Sequence, residues 1–289
     1  MTRHLLMLML VLPAVLGAAQ LQVDHATVCG ADLKQMQTAL TQIGIPSEYG
    51  GPHSNHATEM ALTSFPDGSY LEQIAIQPKG DAKAIQSHEW SKQMKGNSGP
   101  CAWAVRPGDM EAEVKRLQGR IQVTPPERAG RNRPDGTRLD WETSQVGAMV
   151  RGTFFPFLIR DFTPREARAF PSGKPTTTEF SGVARVVIGV HDLADAIARY
   201  RKTYELPEPK QQTDMGFGAK LAWFEGTPVI LASPVDARSW LATRVEQFGD
   251  GPCALILKAS KAPKSGANWF GTPVSWFDVS KLGWRLGSE

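Results

Sequence analysis

The chain has 289 residues, of which 41% are hydrophobic and 21% are charged, and this is the composition of an ordinary globular protein. Its length allows two domains of roughly 130 residues each. The net charge at neutral pH is only +3, and no run of Lys and Arg forms a basic stripe, so the sequence indicates no nucleic-acid partner.

Residues 1–19 have the layout of a secretory signal peptide. A short basic start precedes the apolar run 5–16, and Gly17-Ala18-Ala19 offers small residues for cleavage after Ala19. The run is short for a transmembrane span, and an uncleaved N-terminal anchor is the alternative. No later segment of the sequence is apolar enough to span a membrane. We therefore expect an exported protein, periplasmic or secreted, with no membrane attachment after cleavage.

The first unit after this segment has the predicted order β-α-β-β-β over residues 21–78. Its opening stretch is rich in residues that favour strands, and Asp32 is a suitable N-cap for the helix that follows. Apolar side chains recur there at helical spacing, and Gly44 and Pro46 end the helix. A Pro-Asp-Gly turn at 66–68 then separates two further strands.

The same order recurs along the chain. Asp109 and Asp192 match Asp32, because each lies between an apolar strand and a run with helical spacing. The tetrapeptide Gly-Pro-Cys-Ala occurs at 99–102 and at 251–254, where the second and the fourth units begin. The helix of the fourth unit is expected to be shortened, since a proline and a glycine soon follow its first strand. These matches predict four repeated units.

The ends of the last two units add to the evidence for repeats. Residues 223–234 and 269–280 share Trp-Phe and Gly-Thr-Pro-Val. The stretch between the halves is polar and contains three prolines, which is typical of a linker. We therefore expect a signal peptide at 1–19, a first domain at 20–162, a linker at 163–181 and a second domain at 182–289.

The three cysteines are Cys29, Cys101 and Cys253. An odd number in an exported protein leaves at least one of them unpaired. Each lies in or beside an apolar run, and none has a nearby CxxC partner, so the sequence favours buried inert thiols over catalytic ones.

Five motifs are similar to those of the vicinal oxygen chelate superfamily, in its glyoxalase-like branch. They are VDHATV at 23–28, GGPHSNHATEMAL at 50–62, FPDGSYLEQIAI at 65–76, GRNRPDGTRLDW at 130–141 and FFPFLIRDF at 154–162. The resemblance implies an α+β fold in which tandem βαβββ units form two glyoxalase/bleomycin-resistance/dioxygenase-like domains with cup-shaped sheets. The resemblance does not indicate which reaction is catalysed, because this superfamily includes lyases, isomerases, ring-cleaving dioxygenases and metal-free binding proteins.

The resemblance also implies a divalent metal site inside the cup. The positions that match the superfamily ligands in the first unit are His25 on the first strand and Glu72 on the last strand. An imidazole and a carboxylate suit Zn, Fe or Mn. Two ligands are too few for a tight catalytic site, and His53 or His56 would supply a third. The alternative is that His25 and the neighbouring aspartate form a hydrogen-bonded pair in the core.

The other three units lack these ligands. Alignment on the helix N-caps and on the repeated tetrapeptide places Ala102, Arg185 and Ala254 opposite His25. Ile230 lies opposite Glu72 in the third unit, and Leu158 or Ile159 lies near that level in the second. The second domain is therefore expected to be degenerate, and its Trp-rich end is expected to pack its core.

Further candidates lie in the first domain. Glu59 or Glu72 would move a proton. The residues expected to contact a ligand are His53, Thr58, Arg131, Arg133 and Trp141. The two arginines belong to a group with Arg128 and Arg138, and guanidinium groups suit anionic or oxygen-rich ligands, although a solvated basic loop is the alternative. Met60 stands where the branch commonly has Asn, so that polar contact is missing.

The sequence leaves two main hypotheses about function. The first is a secreted metal-dependent enzyme of lyase, isomerase or dioxygenase type, acting on a small oxygen-rich molecule in the cup of the first domain. The second is a metal-free protein that sequesters a small molecule in the same cup. A scaffold whose cup is filled by side chains is a third, plainer alternative. We expect a monomer or a weak homodimer, because the two joined domains supply in one chain the pairing of units that shorter relatives achieve by dimerising.

Overall fold

The computed structural model describes residues 21–289, so the predicted signal peptide lies outside the described residues. The first half contains two successive β-α-β-β-β units. The elements of the first unit are β1 (Gln22–Gly30), α1 (Leu33–Gln42), β2 (Glu48–Pro52), β3 (Thr58–Ser64) and β4 (Tyr70–Ile76), followed by α2 (Ala82–Ser87) and α3 (Ser91–Lys95). Those of the second unit are β5 (Gly99–Arg106), α4 (Met110–Gln118), β6 (Glu127–Asn132), β7 (Arg138–Ser144) and β8 (Phe157–Asp161).

The second half repeats this order after the short helix α5 (Arg165–Ala169). The third unit consists of β9 (Phe180–Gly189), α6 (Leu193–Tyr204), β10 (Lys210–Asp214), β11 (Ala219–Trp223) and β12 (Val229–Pro234), followed by α7 (Trp240–Phe248). The fourth consists of β13 (Gly251–Ala259), β14 (Ala267–Trp269), β15 (Thr272–Trp276), α8 (Val279–Leu282) and β16 (Arg285–Ser288). Its first and second strands are joined without a helix, where the sequence predicted a shortened one.

Each half forms one eight-stranded sheet, and the two sheets have the same topology. The strand orders are β2-β3-β4-β1-β5-β8-β7-β6 and β10-β11-β12-β9-β13-β16-β15-β14. In each sheet the first strands of the two units are antiparallel neighbours at the centre, and β1 is parallel to β4. The predicted α+β architecture of tandem units is therefore confirmed.

Three of the four longest helices, α1, α4 and α6, begin where the sequence predicts. Asp32, Asp109 and Asp192 have extended backbone, and each carboxylate accepts a hydrogen bond from the backbone N–H three residues later. Such an N-cap stabilises a helix by about 1 kcal/mol. Since α1, α4 and α6 cover one face of each sheet, their apolar side chains and the strand side chains on that face join a single core, which includes Trp103 of β5 and Tyr200 of α6.

One sequence match has a different meaning in the structure. Both halves of the Trp-Phe and Gly-Thr-Pro-Val similarity form hairpins, but β11 and β12 are the third and fourth strands of their unit, whereas β14 and β15 are the second and third strands of theirs. The two hairpins are therefore not equivalent, and this match does not support the duplication. The common sheet topology supports it instead.

The expectation of three inert thiols is wrong for two of the cysteines. Cys29 and Cys101 form a disulfide, and Cys253 is free and buried. The two partners are 72 residues apart in sequence, but β1 and β5 are antiparallel neighbours whose register brings their Cα atoms to 5.8 Å. That distance suits a disulfide. Strand pairing thus creates a bond that sequence spacing alone did not indicate.

No helix among residues 21–289 has both the length and the apolar character needed to cross a membrane.

Candidate functional site

A cavity of about 400 Å³ opens on the concave face of the first sheet. Alternate residues of a strand point to opposite faces, so His25, Tyr70 and Glu72 face the cavity while Ala26 and Leu71 face the helices. The second unit supplies the opposite wall. The residues that line the cavity are His25, His53, Ser54, Asn55, Tyr70, Glu72, Ile74, His88, Trp90, Ala129, Gly130, Arg131, Trp141, Thr143, Arg151, Phe157 and Ile159.

His25 is held in place from behind by Asp24. The Asp24 carboxylate lies 2.5 Å from Nδ1 of His25, and both side chains are buried. This contact leaves Nε2 directed towards Glu72, whose Oε2 lies 3.9 Å away. The ring of Tyr70 stacks on the imidazole at 4.9 Å between centroids. His25 therefore has one orientation, with one nitrogen presented to the cavity.

Asp24 is itself the centre of a buried ion network. Arg168 donates to it at 2.9 Å and Arg165 at 2.5 Å, and both arginines also contact Asp161. Burial alone would raise the pKa of Asp24, but the charge of Arg168, the hydrogen bond with His25 and the charge of Arg165 lower that pKa well below its usual range. The carboxylate stays ionised and keeps its hold on His25.

The arginines of this network come from the segment predicted to be a linker. Helix α5 lies within 163–181, and Arg168 is only 5% exposed. Its guanidinium also donates to the Tyr70 hydroxyl at 2.5 Å. Phe170 and Ala169 pack on Met60 in the same part of the cup. The segment thus joins the two sheets and also closes one end of the first cup.

His53 is positioned in a similar way by Thr58. The Thr58 hydroxyl lies 2.7 Å from Nδ1 of His53, and Asn55 donates to the same hydroxyl at 3.1 Å. Nε2 of His53 lies 3.7 Å from Oε1 of Glu72. Two imidazoles therefore face the two oxygens of one carboxylate.

Glu72 lies at the centre of the site, between the two imidazoles. Its Oε2 accepts a hydrogen bond from Thr27 at 3.3 Å. Burial acts to raise its pKa, but the hydrogen bond with His53 and the charges of His25, His53 and Arg131 lower that pKa to about 2. At neutral pH, Glu72 is a carboxylate and a weak base.

The donor set has the chemistry of a divalent metal site. Zn, Fe and Mn bind imidazole nitrogen and carboxylate oxygen at about 2.0–2.2 Å, which places neighbouring ligand atoms about 3–3.5 Å apart. The separations of 3.7 and 3.9 Å are somewhat longer, and the described part of the chain contains no group of three or more His, Cys, Asp or Glu side chains at coordinating distances. Asp24 and Thr58 provide the outer contacts that metal-binding histidines normally have. The donor types fit an ion, although the three side chains must close slightly around it.

Several of the predicted site residues lie elsewhere. His56 is exposed and does not line the cavity. Glu59 pairs with Ala75 on the face opposite Glu72 and accepts a hydrogen bond from Tyr49, so the structure places it away from the reacting centre. Arg133 contacts Asp135 and the backbone carbonyls of the 163–181 segment. These positions correct the expectation that all of them meet at one site.

Thr58 also differs from the prediction, because its hydroxyl contacts His53 and it does not line the cavity. Arg131 and Trp141 do line the cavity, as expected. Of the four arginines in the predicted group, only Arg131 does so.

Sequence reasoning missed the contributions of His88 and Arg151 to the cavity. His88 accepts a hydrogen bond from the backbone N–H of Trp90 at Nδ1, and burial followed by the charge of His53 lowers its pKa. Arg151 lines the same wall, and its carbonyl accepts from the Trp90 indole. Tyr70 lies two residues before Glu72 and shares its face, as the strand alternation indicates.

The second sheet has no comparable opening at the matching level. Phe217 packs against Trp240, Trp269 and Trp276 at centroid distances of 4.9–5.2 Å on its concave face. Arg185, which matches His25, donates to Glu289 at 2.6 Å. Ile230 is paired with Val187 in the second sheet, and Glu72 is paired with Thr27 at the same position of the first. An apolar side chain therefore replaces the carboxylate in the second sheet. The chemistry of the cup is confined to the first sheet.

Comparison with solved structures shows the fold. A hypothetical protein from Staphylococcus aureus is 14% identical, with 93% of this chain and 99% of that chain covered and a TM-score of 0.64. A mutant of 4-hydroxymandelate synthase from Streptomyces coelicolor is 14% identical, with coverage of 84% and 72% and a TM-score of 0.52. Methylmalonyl-CoA epimerase from Mycobacterium tuberculosis is 17% identical over 39% of this chain and 89% of its own, with a TM-score of 0.33.

A comparison with curated protein sequences found no match. A family model described as a glyoxalase-like domain matches residues 23–203, which is more than half of the chain and includes all eight strands of the first sheet except Gln22. The predicted resemblance is therefore confirmed at the level of the family: the chain belongs to the glyoxalase-like domain family.

Proposed function

We propose that the first cup binds a small oxygen-rich molecule with the help of a divalent metal ion held by His25, His53 and Glu72. The observation that carries this proposal is that two imidazole nitrogens face the two oxygens of one carboxylate, at 3.9 and 3.7 Å. Each imidazole is fixed from behind, by Asp24 or by Thr58. Fixed donors that converge at the floor of an open cavity suit a catalytic site of lyase or isomerase type.

The remaining cavity residues orient the substrate. When bound, the ion supplies Lewis-acid polarisation of two adjacent substrate oxygens. Arg131 and Arg151 offer guanidinium groups to an anionic or oxygen-rich part of the molecule, and Trp141 offers an apolar wall. The arrangement favours a compact polar molecule over a long chain.

In this proposal His88 donates a hydrogen bond to the bound molecule, and Glu59, on the opposite face of the sheet, takes no part. Nδ1 of His88 accepts the Trp90 N–H, so the neutral ring carries its proton on Nε2. Since burial lowers the pKa of His88, the neutral ring is the main form at neutral pH. The Nε2–H group of His88 can therefore donate a hydrogen bond within the cavity, while Glu72, with its pKa of about 2, serves as a ligand.

A metal-free binding protein is the second candidate. It is favoured by one observation: no group of three or more potential ligands in residues 21–289 has coordinating distances. In that case Glu72 is satisfied by Thr27 and the two histidines, and the cavity holds its ligand through Arg131, Arg151 and the aromatic walls.

Metal analysis separates these candidates. The protein is purified without chelators, reconstituted separately with Zn, Mn or Fe(II), and dialysed. Its metal content is then measured by inductively coupled plasma mass spectrometry. We expect about one ion per chain in the wild type and in His56→Ala, since His56 is exposed and outside the cavity. We expect loss of the ion in His25→Ala and in His53→Ala. Absence of bound metal from the wild type under all three conditions would support the metal-free protein.

We also propose that the chain is exported. Residues 1–19 have the pattern of a signal peptide, and the Cys29–Cys101 disulfide suits an oxidising compartment. Fractionation of cells that express the full chain, with N-terminal sequencing of the product, tests this. A mature protein that begins after Ala19 outside the cytoplasm is expected, and an intact cytoplasmic chain would contradict the proposal.

A further inference from the structure

A second cavity, of about 320 Å³, lies where the two halves of the molecule meet. The first half contributes the connection between α3 and β5, and the second half contributes α7 and the segment around α8 and β16. The residues that line it are Gly96, Asn97, Ser98, Trp240, Thr243, Arg244, Gln247, Phe248, Cys253, Val279, Gly283, Trp284 and Arg285. None of them belongs to the cup of the first sheet, so this cavity is a separate feature.

Arg244 is a largely enclosed cation in the wall of this cavity. Its guanidinium donates to the backbone carbonyls of Ser98, Pro100 and Pro252, each at 2.5 Å. The two prolines belong to the two copies of the repeated tetrapeptide, so Arg244 ties together the strands β5 and β13 that begin there. It forms no ion pair with a carboxylate among the described residues, and burial lowers its pKa.

Arg285 is the second cation of the cavity and has still fewer partners. Its guanidinium lies 4.3 Å from the centroid of the Trp240 ring and 5.3 Å from that of Phe217. Within the described part of the chain it makes neither a hydrogen bond nor an ion pair with another side chain or carbonyl. Its donors are therefore available to a ligand.

The lining of the cavity contains no group that balances these two charges. It has no Asp and no Glu, and Asp214, whose charge acts on Arg285, lies outside the lining and forms no ion pair with it. Cys253 lines the cavity, but burial raises the pKa of that thiol to about 12, so the sulfur is neutral at physiological pH. Partly buried cations that have no carboxylate in contact are unfavourable unless an anion joins them. An anionic ligand supplies the missing charge.

The walls indicate what else the ligand carries. Trp240, Phe248 and Trp284 present aromatic surface, while Ser98 and Thr243 offer a few polar atoms. A volume near 300 Å³ is at the small end of the range for small-molecule sites, which suits a single ring or a short branched chain. A carboxylate matches the planar guanidinium fork better than a spherical anion does.

We propose that this cavity is a second ligand site, which binds a small carboxylate with an apolar body between Arg285 and the aromatic walls. The site depends on both halves of the chain, because the first supplies the rim around Ser98 and the second supplies the cations. It gives the second half, whose own cup is filled, a binding role of its own.

Calorimetric titration of the full chain with benzoate tests this proposal, with benzamide as the neutral probe of the same shape and inorganic phosphate as the anion without an apolar body. We expect saturable benzoate binding that quenches tryptophan fluorescence, and much weaker binding of the other two probes. Arg285→Gln should weaken benzoate at least about tenfold, the loss typical of a charged hydrogen bond. Arg238→Gln, at a 93% exposed arginine of the same half, is the matched control and should bind as the wild type does.

Two further variants keep the test decisive. Gln247→Trp adds bulk at an exposed position of the cavity mouth, so it should block benzoate without disturbing the core. Arg151→Gln removes a cation of the first cup, so it reports any benzoate held there and should leave unchanged the binding that Arg285→Gln weakens. The proposal is overturned if the wild type shows no saturable benzoate binding, or if phosphate or benzamide binds as well as benzoate. It is also overturned if neither Arg285→Gln nor Gln247→Trp weakens benzoate binding, or if Arg151→Gln abolishes that binding.

Discussion

Asp24 is the residue on which the geometry of the first cup most depends. It is fully buried, contacts His25 on one side and receives Arg165 and Arg168 on the other. Its charge holds the imidazole in one orientation and anchors α5 over the end of the cup. The network therefore couples the position of a candidate metal ligand to the connection between the two sheets.

Replacement of Asp24 by Asn should destabilise the protein strongly. The change leaves Arg165 and Arg168 without their central carboxylate, and loss of one partner of a buried ion network costs about 3–5 kcal/mol. Urea unfolding measures this loss. The control is Asp236→Asn, at a half-exposed aspartate whose only ion pair within residues 21–289 is with the exposed Arg238, and a change within about 0.5 kcal/mol is expected there.

The same network gives the expected acid sensitivity. Because the pKa of Asp24 is lower in the folded state than the usual value of about 3.9, its contribution is fully present above that pH and is lost as the pH falls below it. Unfolding midpoints measured from pH 6 to pH 3 should therefore fall less steeply for Asp24→Asn than for the wild type. Equal slopes for the two proteins would contradict the assigned role.

At the scale of elements, the predictable parts are those with a local signal. The N-caps at Asp32, Asp109 and Asp192 precede runs with helical spacing, and the turn at 66–68 separates two strands with strong strand propensity. Helix α5 gave no such signal, because it is only five residues long and is held by the ion pairs of its arginines. Contacts between distant charged groups leave no periodic pattern in the sequence.

The same limit applies to the site and to the cysteines. His25 and Glu72 were predictable from the motifs of the first unit, and His53 from the loop that follows. The contact between Asp24 and His25 was also among the alternatives that the sequence offered. The roles of Thr58 and of the cavity residue His88 depend on how strands and loops pack, so the sequence did not reveal them. The disulfide between β1 and β5 likewise depends on strand register.

Thiol counting should verify the state of all three cysteines. With Cys29 and Cys101 joined and the Cys253 thiol buried at a pKa of about 12, the native protein should show almost no reaction with Ellman's reagent at pH 8. Denaturation without reductant should expose one thiol per chain, and denaturation after reduction should expose three. Cys253→Ser serves as the control and should lower each of the last two values by one.

The molecule as a whole is two copies of one architecture with different contents. The first cup is open and carries polar chemistry, whereas the second is filled by aromatic side chains. One core extends over helix-facing residues of both sheets, so the halves are packed together and not merely linked. We propose that this internal pairing lets the chain work as a monomer or weak homodimer. Sedimentation that shows an obligate dimer would count against it.

The shared core also predicts that the two halves unfold together. Tyr200 on α6 is buried among aromatic residues of both halves, and its hydroxyl donates to the carbonyl of Phe154 at 2.5 Å. Tyr200→Ala should cost about 3–5 kcal/mol, because it removes a large buried ring and this hydrogen bond. Hydrogen exchange should then speed up in β1 of the first sheet as well as in β13 of the second.

Lys202→Ala, at an exposed position of the same helix, is the matched control and should leave exchange unchanged in both strands. If Tyr200→Ala speeds exchange only in β13, the halves are separate folding units and the core between them is weaker than its burial indicates. If β1 and β13 lose protection to the same degree, unfolding of one sheet exposes the apolar face of the other. In that case the second sheet, whose cup is filled, stabilises the first sheet, because the apolar faces of both sheets must be exposed to water at once.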